Sequence, residues 1–597
     1  MYLMKSFLSV IGALLIISCA KTEPQFSKEE IASESKRLNE WFETKFNERV
    51  GRSPEYQTYL GIRKDNDKWD DRSDEQAKKE LDIVKAELNE IKTQFDYNKL
   101  DEQTRLSYTL FVSEAEKEIK NFKWRFHTYP FNQMRGAQSG TPAFLINFHR
   151  ITDESDARAY ISRLKGVKAR FKQEIDGMKV REEMGIIAPK FVFPHVIRDS
   201  ENILKGTTLL DDFTKKVNRV ESIDKKTKSK LIAEAKQAIK SYVHPAYKDL
   251  ISYMKELEKK ATDDAGVWKF PEGEAFFNYK LQTTTTTDLT SDQIHEIGLK
   301  EVARIHEEMR KIKEKVNFKG DLQAFFKFMR TDKQFYYQNT DEDRATYMKE
   351  AKALIDNMKT RLDELFLVKP KADMIVKRVE PFREKSAGKA FYNRPAPDGS
   401  RPGIYYANLY RMEEMPKYEM EALAYHEGIP GHHMQLAIAQ ELEGIPKFRK
   451  FGHYTAYSEG WGLYTEMIPK EMGLYQDPYS DFGRLAMELW RACRLVVDTG
   501  IHSKKWTREQ GIEYYEKNTP SPKSAGVKMV ERHIVMPSQA TAYKIGMLKI
   551  VELRENAKKK LGEKFDIREY HDIVLKNGPV PLSILEKHVD QWVSSKS

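Results

Sequence analysis

The sequence predicts a large, mainly α-helical protein, and three observations support this fold class. Glycine (30) and proline (23) together make up about 9% of the 597 residues, below the roughly 12% of ordinary proteins. A chain with so few turn residues has few places to reverse, which disfavours many short strands. Charged and apolar residues recur in long helical periods, for example over 160–180. A hydrophobic content of 40% is enough for a core and excludes a disordered chain.

The net charge of +10 is modest for this length, because 101 lysines and arginines stand against 91 aspartates and glutamates. Even the dense basic run over 225–230 follows Asp224 and is soon followed by Glu234. This interleaving is typical of solvated helices rather than of a basic stripe that binds phosphates. No nucleic-acid motif accompanies the charge, so we expect no nucleic-acid partner.

The N-terminus predicts a signal peptide over residues 1–18. Lys5 precedes an apolar run over 7–17, which is shorter than the ~20 residues that span a membrane. The run ends just before Cys19, as in a bacterial lipobox. We therefore expect a lipid on Cys19 to anchor the protein in a membrane, with residues 19–35 as a polar tether. The alternative is an ordinary signal peptide followed by an incidental cysteine.

Residues 36–597 are predicted to form one unit, because no clear linker and no internal repeat interrupts them. The N-terminal helical half covers about 36–280 and the C-terminal half about 281–597. With Cys19 lipidated, Cys493 is the remaining cysteine, which excludes an intramolecular disulfide in the mature chain. It lies in an apolar helical stretch and is expected to be a buried, unreactive thiol. No pattern in the sequence indicates the oligomeric state.

Local patterns assign two segments at the start of the C-terminal half. The run Thr283–Thr287 is β-branched and predicts a strand or loop. Thr290 and Gln293 form a capping box that opens an amphipathic helix. Its apolar stripe is Ile294, Ile297, Val302, Ile305, Met309, Ile312 and Val316. His295 and His306 on this helix each precede a glutamate, but no second histidine follows at metal-ligand spacing, so we interpret both as structural.

A histidine-rich segment, HEGIPGHH, carries the strongest chemical pattern in the chain. A zinc-hydrolase helix has histidines at i and i+4 and a glutamate at i+1 as general base. Here His426 and Glu427 match, but Pro430 occupies i+4, and the next histidines are His432 and His433. In a regular helix His432 would point about 240° around from His426, and His433 would lie ~10 Å along the axis. A regular helix therefore cannot bind one metal ion with either pair.

A break in this helix would restore the ligand geometry. Pro430 lacks a backbone donor and clashes with the carbonyl of His426. Together with Gly431 it predicts a bulge that turns His432 back toward His426, so that the motif is a zinc helix with a two-residue insertion. His433 would then point away, toward the cleft wall or the core, where it could contact substrate or a carboxylate. The alternative is a Pro-Gly helix end with surface histidines.

A zinc site for hydrolysis needs a third protein ligand and an open position for water. The best candidate is Glu459, which lies 27 residues after His432, enough for a loop and a second packed helix. Gly460 and Gly462 would allow the two helices to approach closely. Glu466, two turns further on the same face, could orient a zinc ligand. The alternative for Glu466 is an ordinary exposed glutamate.

Several further segments resemble one known family together with the histidine-rich segment. They are Tyr59–Ile62, Gly298–Val302, Ser458–Trp461, Arg494–His502 and Pro537–Gly546. The chain resembles the domain-of-unknown-function-885 family of bacterial zinc-peptidase-like lipoproteins over most of its length. The resemblance implies a gluzincin-like helical body with a deep cleft, similar to neurolysin and angiotensin-converting enzyme. A small β-sheet is expected beside the active site.

The resemblance also implies roles for particular residues. The implied ligands of one Zn²⁺ per chain are His426, His432 and Glu459, with Glu427 as general base. In such relatives a histidine and a tyrosine near the C-terminus bind the oxyanion, and His533 and Tyr543, ten residues apart, could play these parts. The chain departs from the family pattern at Ser538, where glycine is expected, and at His533, where tyrosine is expected.

Other polar residues are candidates for substrate binding. Gly403–Tyr410 is the best strand candidate and could bind a substrate backbone by strand addition, with Asn408 close to the cleft. Arg494, His502 and Arg532 are polar residues in otherwise apolar segments. Each could bind a peptide terminus, and a buried salt bridge is the alternative.

These patterns together predict a zinc metallopeptidase of the cell envelope. A lipid would anchor it in a membrane, with its body in the periplasm or otherwise outside the cytoplasmic membrane. Its substrate would be a peptide, hydrolysed by metal-activated water with Glu427 as base. One alternative is a non-catalytic envelope lipoprotein that binds peptides or another ligand in the same cleft. Another is a metal-dependent hydrolase of a different amide or ester.

Overall fold

The structure is a computed structural model that describes residues 26–379, 384, 387–395 and 401–596. The predicted signal peptide and Cys19 lie outside these residues. Within the described part of the chain, no helix is long and apolar enough to cross a membrane.

Eleven helices lie in the described residues before residue 286, that is, 26–285. They are α1 (Lys28–Gly51), α2 (Pro54–Tyr59), α3 (Asp74–Gln94), α4 (Glu102–Asn121), α5 (Ala137–Asn147), α6 (Glu154–Glu183), α7 (Val192–Lys205), α8 (Thr208–Asn218), α9 (Lys225–Ala238), α10 (His244–Glu258) and α11 (Gly273–Thr285). Short 3₁₀ turns connect several of them. These residues are therefore mainly helical.

Thirteen described helices follow, interrupted by a small sheet. They are α12 (Ser291–Lys315), α13 (Leu322–Thr331), α14 (Asp341–Thr360), α15 (Lys417–Glu427), α16 (His432–Glu441), α17 (Lys447–Lys450), α18 (Thr455–Glu471), α19 (Pro478–His502), α20 (Arg508–Asn518), α21 (Lys523–Val535), α22 (Ala542–Leu561), α23 (Ile567–Leu575) and α24 (Leu582–Lys596). The predicted fold class, mainly α with a small β-sheet, is therefore confirmed.

Two local predictions are corrected. Helix α1 begins at Lys28, so residues 28–35 are helical and not part of a tether, because Ser27 and Glu30 form a capping box. The prediction of a strand or loop over Thr283–Thr287 is partly wrong, because Thr283 to Thr285 are the last residues of α11, and only Thr286 and Thr287 lie in the loop that follows. The hydroxyl of Thr285 donates to the carbonyl of Leu281, four residues earlier, so its polar group has a partner within the helix.

Helix α12 follows its prediction. Thr290 and Gln293 form the capping box, and the apolar stripe faces the core. His295 lies 2.9 Å from the hydroxyl of Thr499, and His306 donates to the carbonyl of Asn518. Both histidines therefore have structural partners, as predicted.

The sheet contains β1 (Met374–Arg378), β2 (Ala390–Asn393) and β3 (Gly403–Ala407) in the order β1-β3-β2. Strand β3 is buried along its length, pairs with β1 in parallel and pairs with β2 antiparallel. The predicted strand is thus present, but both of its edges are occupied. It offers no free edge for strand addition by a substrate, and that prediction is wrong.

One large apolar cluster includes residues of both halves, for example Leu164, Ile305 and Tyr543. Cys493 lies in this cluster and is fully buried. Burial raises the pKa of the Cys493 thiol, which agrees with the expected unreactive cysteine.

Candidate metal centre

The break predicted at the Pro-Gly pair separates α15 from α16. Helix α15 ends at Glu427 and α16 begins at His432. A side chain at Gly431 would place its Cβ 2.0 Å from the carbonyl oxygen of His426, so the tight turn requires glycine. The indole of Trp461 donates to the carbonyl of Pro430 at 3.0 Å and ties the break to α18. The alternative of a helix end with surface histidines is wrong.

The break brings His426 and His432 together with Glu459. The Nε2 atoms of the two imidazoles lie 3.7 and 3.4 Å from Oε2 of Glu459. One potential ligand atom from each of the three residues lies within 4.8 Å of the others. Ligand atoms around a tetrahedral zinc ion are about 3.4 Å apart, since each lies about 2.0–2.2 Å from the metal. The spacing and the His₂Glu donor set therefore fit zinc.

A second layer of contacts orients His426. Its Nδ1 donates to Oε1 of Glu466 at 2.7 Å, which leaves Nε2 directed at Glu459. Glu466 is buried and lies 3.4 Å from the guanidinium of Arg491. This arrangement agrees with the predicted orienting role of Glu466 and not with an exposed glutamate. No sequence motif indicates that Arg491 belongs to the centre. The one sequence feature that points to it is its position three residues before Arg494, on the same face of α19.

The imidazoles and carboxylates of the centre shift one another's pKa values. Burial lowers the pKa of His426, but the carboxylates of Glu459 and Glu466 outweigh it and raise this pKa to about 10. Burial raises the pKa of Glu459, but the facing imidazoles of His426 and His432 hold it well below its usual range. Metal binding would replace the proton on His426, so metal and proton compete for the site.

Glu427 is buried beside the two histidines. Burial raises the pKa of its carboxyl, which also senses the charges of His426 and His432. Among the described residues, Oε2 of Glu427 and Nδ1 of His432 are buried without a hydrogen-bond partner. Unpartnered buried polar atoms are costly and are often explained by a missing water or ion. The unpartnered Oε2 of Glu427, next to the three-residue set, therefore supports a centre that can hold a metal and a water.

Two glycines let α18 approach its neighbours: Gly462 faces the histidine helix α15, as predicted, whereas Gly460 faces α22. A Cβ at Gly460 would lie 2.5 Å from the backbone of Gly546 on α22. A Cβ at Gly462 would lie 2.8 Å from Cε1 of His426. Gly460 thus positions α22 beside Glu459, and Gly462 leaves room for the ligand imidazole.

Gly462→Ala is expected to weaken zinc binding by about 10–100-fold, the range found when residues that orient a metal ligand are altered. The added methyl group would displace the ring of His426 from its bond with Glu466. Competition with a chelator measures the affinity. Gly140→Ala is the matched control, because that helical glycine has open space around it. Unchanged affinity in a folded Gly462→Ala protein would contradict this packing role.

His433 points away from the centre, as expected for a two-residue insertion. Its Nδ1 accepts from the hydroxyl of Tyr392 at 2.7 Å, and its Nε2 donates to the carbonyl of Ala372 at 3.0 Å. Burial lowers the pKa of His433 to about 4, so the ring is neutral at neutral pH. It lines a cavity of about 220 Å³ together with Ile429. His433 links the helix break to the sheet, and its ring nitrogens bond to Tyr392 and Ala372 in the described residues rather than to a carboxylate.

Tyr543 lies one helical turn before Gly546, whose backbone touches Gly460 next to Glu459. Arg532 donates to the hydroxyl of Tyr543 at 3.4 Å. The guanidinium of Arg494 lies over the tyrosine ring, 4.5 Å from its centroid. The structure therefore gathers Tyr543, Arg494 and Arg532 on the α22 side of the centre.

The positions of His533 and His502 do not fit their predicted roles, which are oxyanion binding for His533 and substrate binding for His502. His533 is fully buried, and its Nε2 lies 2.8 Å from the hydroxyl of Tyr515. Burial, followed by the charges of Arg494 and Arg532, lowers its pKa well below the usual range. His502 accepts from the backbone of Val267 and donates to the carbonyl of His533. Both imidazoles belong to the core, because their polar atoms have internal partners or no access to solvent.

Asn408 is likewise a structural residue. Its Nδ2 donates to the carbonyls of Glu384, Ala387 and Gly388. These bonds hold the chain that enters β2 against the end of β3. The expected contact of Asn408 with substrate is not supported.

The chain is thus a mainly helical protein whose interior brings together two histidines and a glutamate that could hold a metal ion. The chain belongs to the bacterial family described as "Bacterial protein of unknown function (DUF885)", which matches residues 54–589. No curated protein matches the chain.

Two solved structures share the fold of this chain. The structure described as "the putative lipoprotein from Colwellia psychrerythraea" is 30% identical, with a TM-score of 0.88 over 94% of this chain and 100% of the other. A "putative lipoprotein of unknown function from Shewanella oneidensis" is 18% identical, with a TM-score of 0.70 over 93% and 99%, and shows the shared fold. A "putative oligoendopeptidase F" from Bacillus anthracis matches with a TM-score of 0.29 and 11% identity over 87% and 96%, too low a likeness to carry an argument.

Proposed function

We propose that this protein is a zinc-dependent peptidase of the cell envelope. The observation that carries the proposal is the buried carboxylate of Glu427, whose Oε2 has no partner among the described residues and which adjoins the His426, His432 and Glu459 set. A base with a raised pKa beside a His₂Glu donor set is the combination that metal-assisted hydrolysis requires.

Each residue near the centre has a separate task in this proposal. When bound, zinc supplies a Lewis acid and lowers the pKa of a water molecule to about 7. Glu427 accepts the proton of that water and passes it to the leaving amine. Tyr543 donates its hydroxyl proton in a hydrogen bond to the oxygen that becomes negative, a contact worth about 3 kcal/mol in comparable sites. The bond from Arg532 to the oxygen of Tyr543 favours the tyrosine as a donor.

The proposal is tested by digesting a peptide library with the purified protein and reading the products by mass spectrometry. We expect cleavage at defined positions, loss of cleavage with a chelator and recovery on addition of zinc. A purified protein that contains no metal and cleaves no peptide would instead support the non-catalytic binding lipoprotein. Cleavage of amides or esters other than peptides would support the third alternative.

The envelope location is also part of the proposal. It is supported by the apolar run that ends at Cys19 and by the two similar proteins described as lipoproteins. A lipid on Cys19 would hold the helical body at a membrane surface without spanning it.

Cys19→Ser is expected to remove the lipid and release the protein from membranes. Fractionation of cells and the intact mass of the mature chain measure the two effects. Cys493→Ser is the control, because that buried thiol carries no lipid and its replacement leaves the protein in the membrane fraction. Membrane association of the Cys19→Ser protein with the mass of the wild type would show that the lipobox prediction is wrong.

A further inference from the structure

Two arginines beside Tyr543, the buried Arg494 and the half-buried Arg532, form no ion pair with an acidic residue of the described chain. Arg494 is 6% exposed, and its Nε and Nη1 have no hydrogen-bond partner among the described residues. Arg532 donates through Nη2 to Gln539 and Tyr543, but its Nε is also buried without a partner. Within the described chain, no carboxylate lies within 4.0 Å of either guanidinium. The salt bridge considered for these residues is therefore absent.

Other buried cations nearby are paired. Arg484, which lies on the same helix as Arg494 and is 7% exposed, lies 2.9 Å from Asp481 and 3.7 Å from Glu488. Lys544 on α22 is fully buried and lies 2.6 Å from Glu488. The fold thus supplies acidic partners to buried cations in this region, and Arg494 and Arg532 are exceptions.

No carboxylate of the described residues forms an ion pair with either arginine, although the charge of Glu459 helps to raise the pKa of Arg532 from a distance. Asp498 lies one turn after Arg494 on α19, but its Oδ1 accepts from the backbone of Ser538 and burial raises its pKa well above the usual range. Burial lowers the pKa of Arg494 to about 10, so the guanidinium is still charged at neutral pH. An unpaired charge in the interior is costly, which favours an anion from outside the chain as its partner.

The two arginines lie next to the metal centre. Arg491, one turn before Arg494, contacts Glu466, which in turn holds His426. Tyr543 joins the arginines, because one stacks on its ring and the other bonds its hydroxyl. An anion bound here would be close to the group that Tyr543 contacts.

We propose that Arg494 and Arg532 bind a carboxylate of the peptide substrate beside the bond that is cleaved. A planar guanidinium with two free N–H groups suits a carboxylate, which accepts two parallel hydrogen bonds. The carboxylate can be the C-terminus of the peptide, which makes the enzyme a carboxypeptidase, or an acidic side chain. This inference rests on the proposed peptidase function and specifies its substrate class.

The test measures binding separately from hydrolysis. Calorimetry of the zinc-loaded, full-length Glu427→Gln protein compares three probes: trialanine, trialanine amide and alanine peptide amides that carry one glutamate. We expect the probe with the recognised carboxylate to bind at least about tenfold more tightly than trialanine amide, as for hydrogen bonds to charged groups. Preference for trialanine identifies the C-terminus, and preference for a glutamate peptide identifies the side chain.

Variants then assign the effect to the arginines. Adding Arg494→Gln or Arg532→Gln to this protein is expected to remove the tenfold preference. Neither change leaves a carboxylate without its partner, so each should lower the melting temperature less than Arg484→Gln does, although Arg532→Gln also loses the bonds to Gln539 and Tyr543. Arg484→Gln is the matched control: it leaves Asp481 and Glu488 without a partner and lowers the melting temperature, but it retains the preference for the carboxylate.

The outcomes separate this inference from the proposed function. Equal or undetectable binding of all three probes overturns the carboxylate site, even if the wild-type protein cleaves other peptides. A preference that survives both arginine substitutions also overturns it. A carboxylate preference that depends on the arginines supports the site, even if the wild-type protein hydrolyses nothing and the peptidase proposal fails.

Discussion

Replacement of Glu427 by glutamine is expected to lower the rate of peptide hydrolysis by about 10²–10⁴-fold, the usual contribution of a general base. The amide has nearly the same shape as the carboxylate but cannot accept the proton of water. Zinc content should stay at about one ion per chain, because the ligand set of His426, His432 and Glu459 does not include Glu427. Turnover assays and metal analysis of the same preparation measure both effects.

Glu413→Gln is the control for this experiment, because Glu413 is exposed and pairs with Arg411 away from the centre. It should leave both hydrolysis and zinc content unchanged. Loss of zinc from Glu427→Gln would instead place this carboxylate among the metal ligands. Full activity of Glu427→Gln would remove the basis of the proposed mechanism.

His432→Ala is expected to lose most of its zinc, whereas His433→Ala is expected to retain it. The Nε2 atom of His432 lies 3.4 Å from Glu459, on the ligand side of the break. His433 faces the sheet and is held by Tyr392 and Ala372. Loss of a direct ligand should weaken zinc binding by more than about 100-fold, beyond the effect of altering an orienting residue.

His433→Ala provides the internal comparison, since the two histidines are neighbours in the chain. It leaves the hydroxyl of Tyr392 and the carbonyl of Ala372 without their partner and should cost about 1–3 kcal/mol of stability. Metal analysis and thermal unfolding of both variants distinguish the two roles. If His433→Ala loses zinc while His432→Ala keeps it, the geometry of the helix break is wrong.

Much of the fold and part of the centre could be predicted from short-range patterns. The capping box at Thr290 and Gln293 opens α12 where the sequence indicates it, and the apolar stripe of that helix faces the core. The break at Pro430 and Gly431 is encoded locally, since proline and glycine act on the backbone within about one helical turn. The capping box formed by Ser27 and Glu30 is an equally local pattern, and it places residues 28–35 in α1.

The sequence by itself determined the candidate donor types, the helix break that reorients His432 and the glycines that allow close packing. Only the tertiary structure decided that β3 is a central strand, that His533 is a core residue and that Arg494 and Arg532 lack acidic partners. The reason is the range of the interactions. Caps and helix breaks depend on residues within about four positions, whereas burial and ion pairing depend on groups that only packing brings together, such as His426 and Glu466, 40 residues apart.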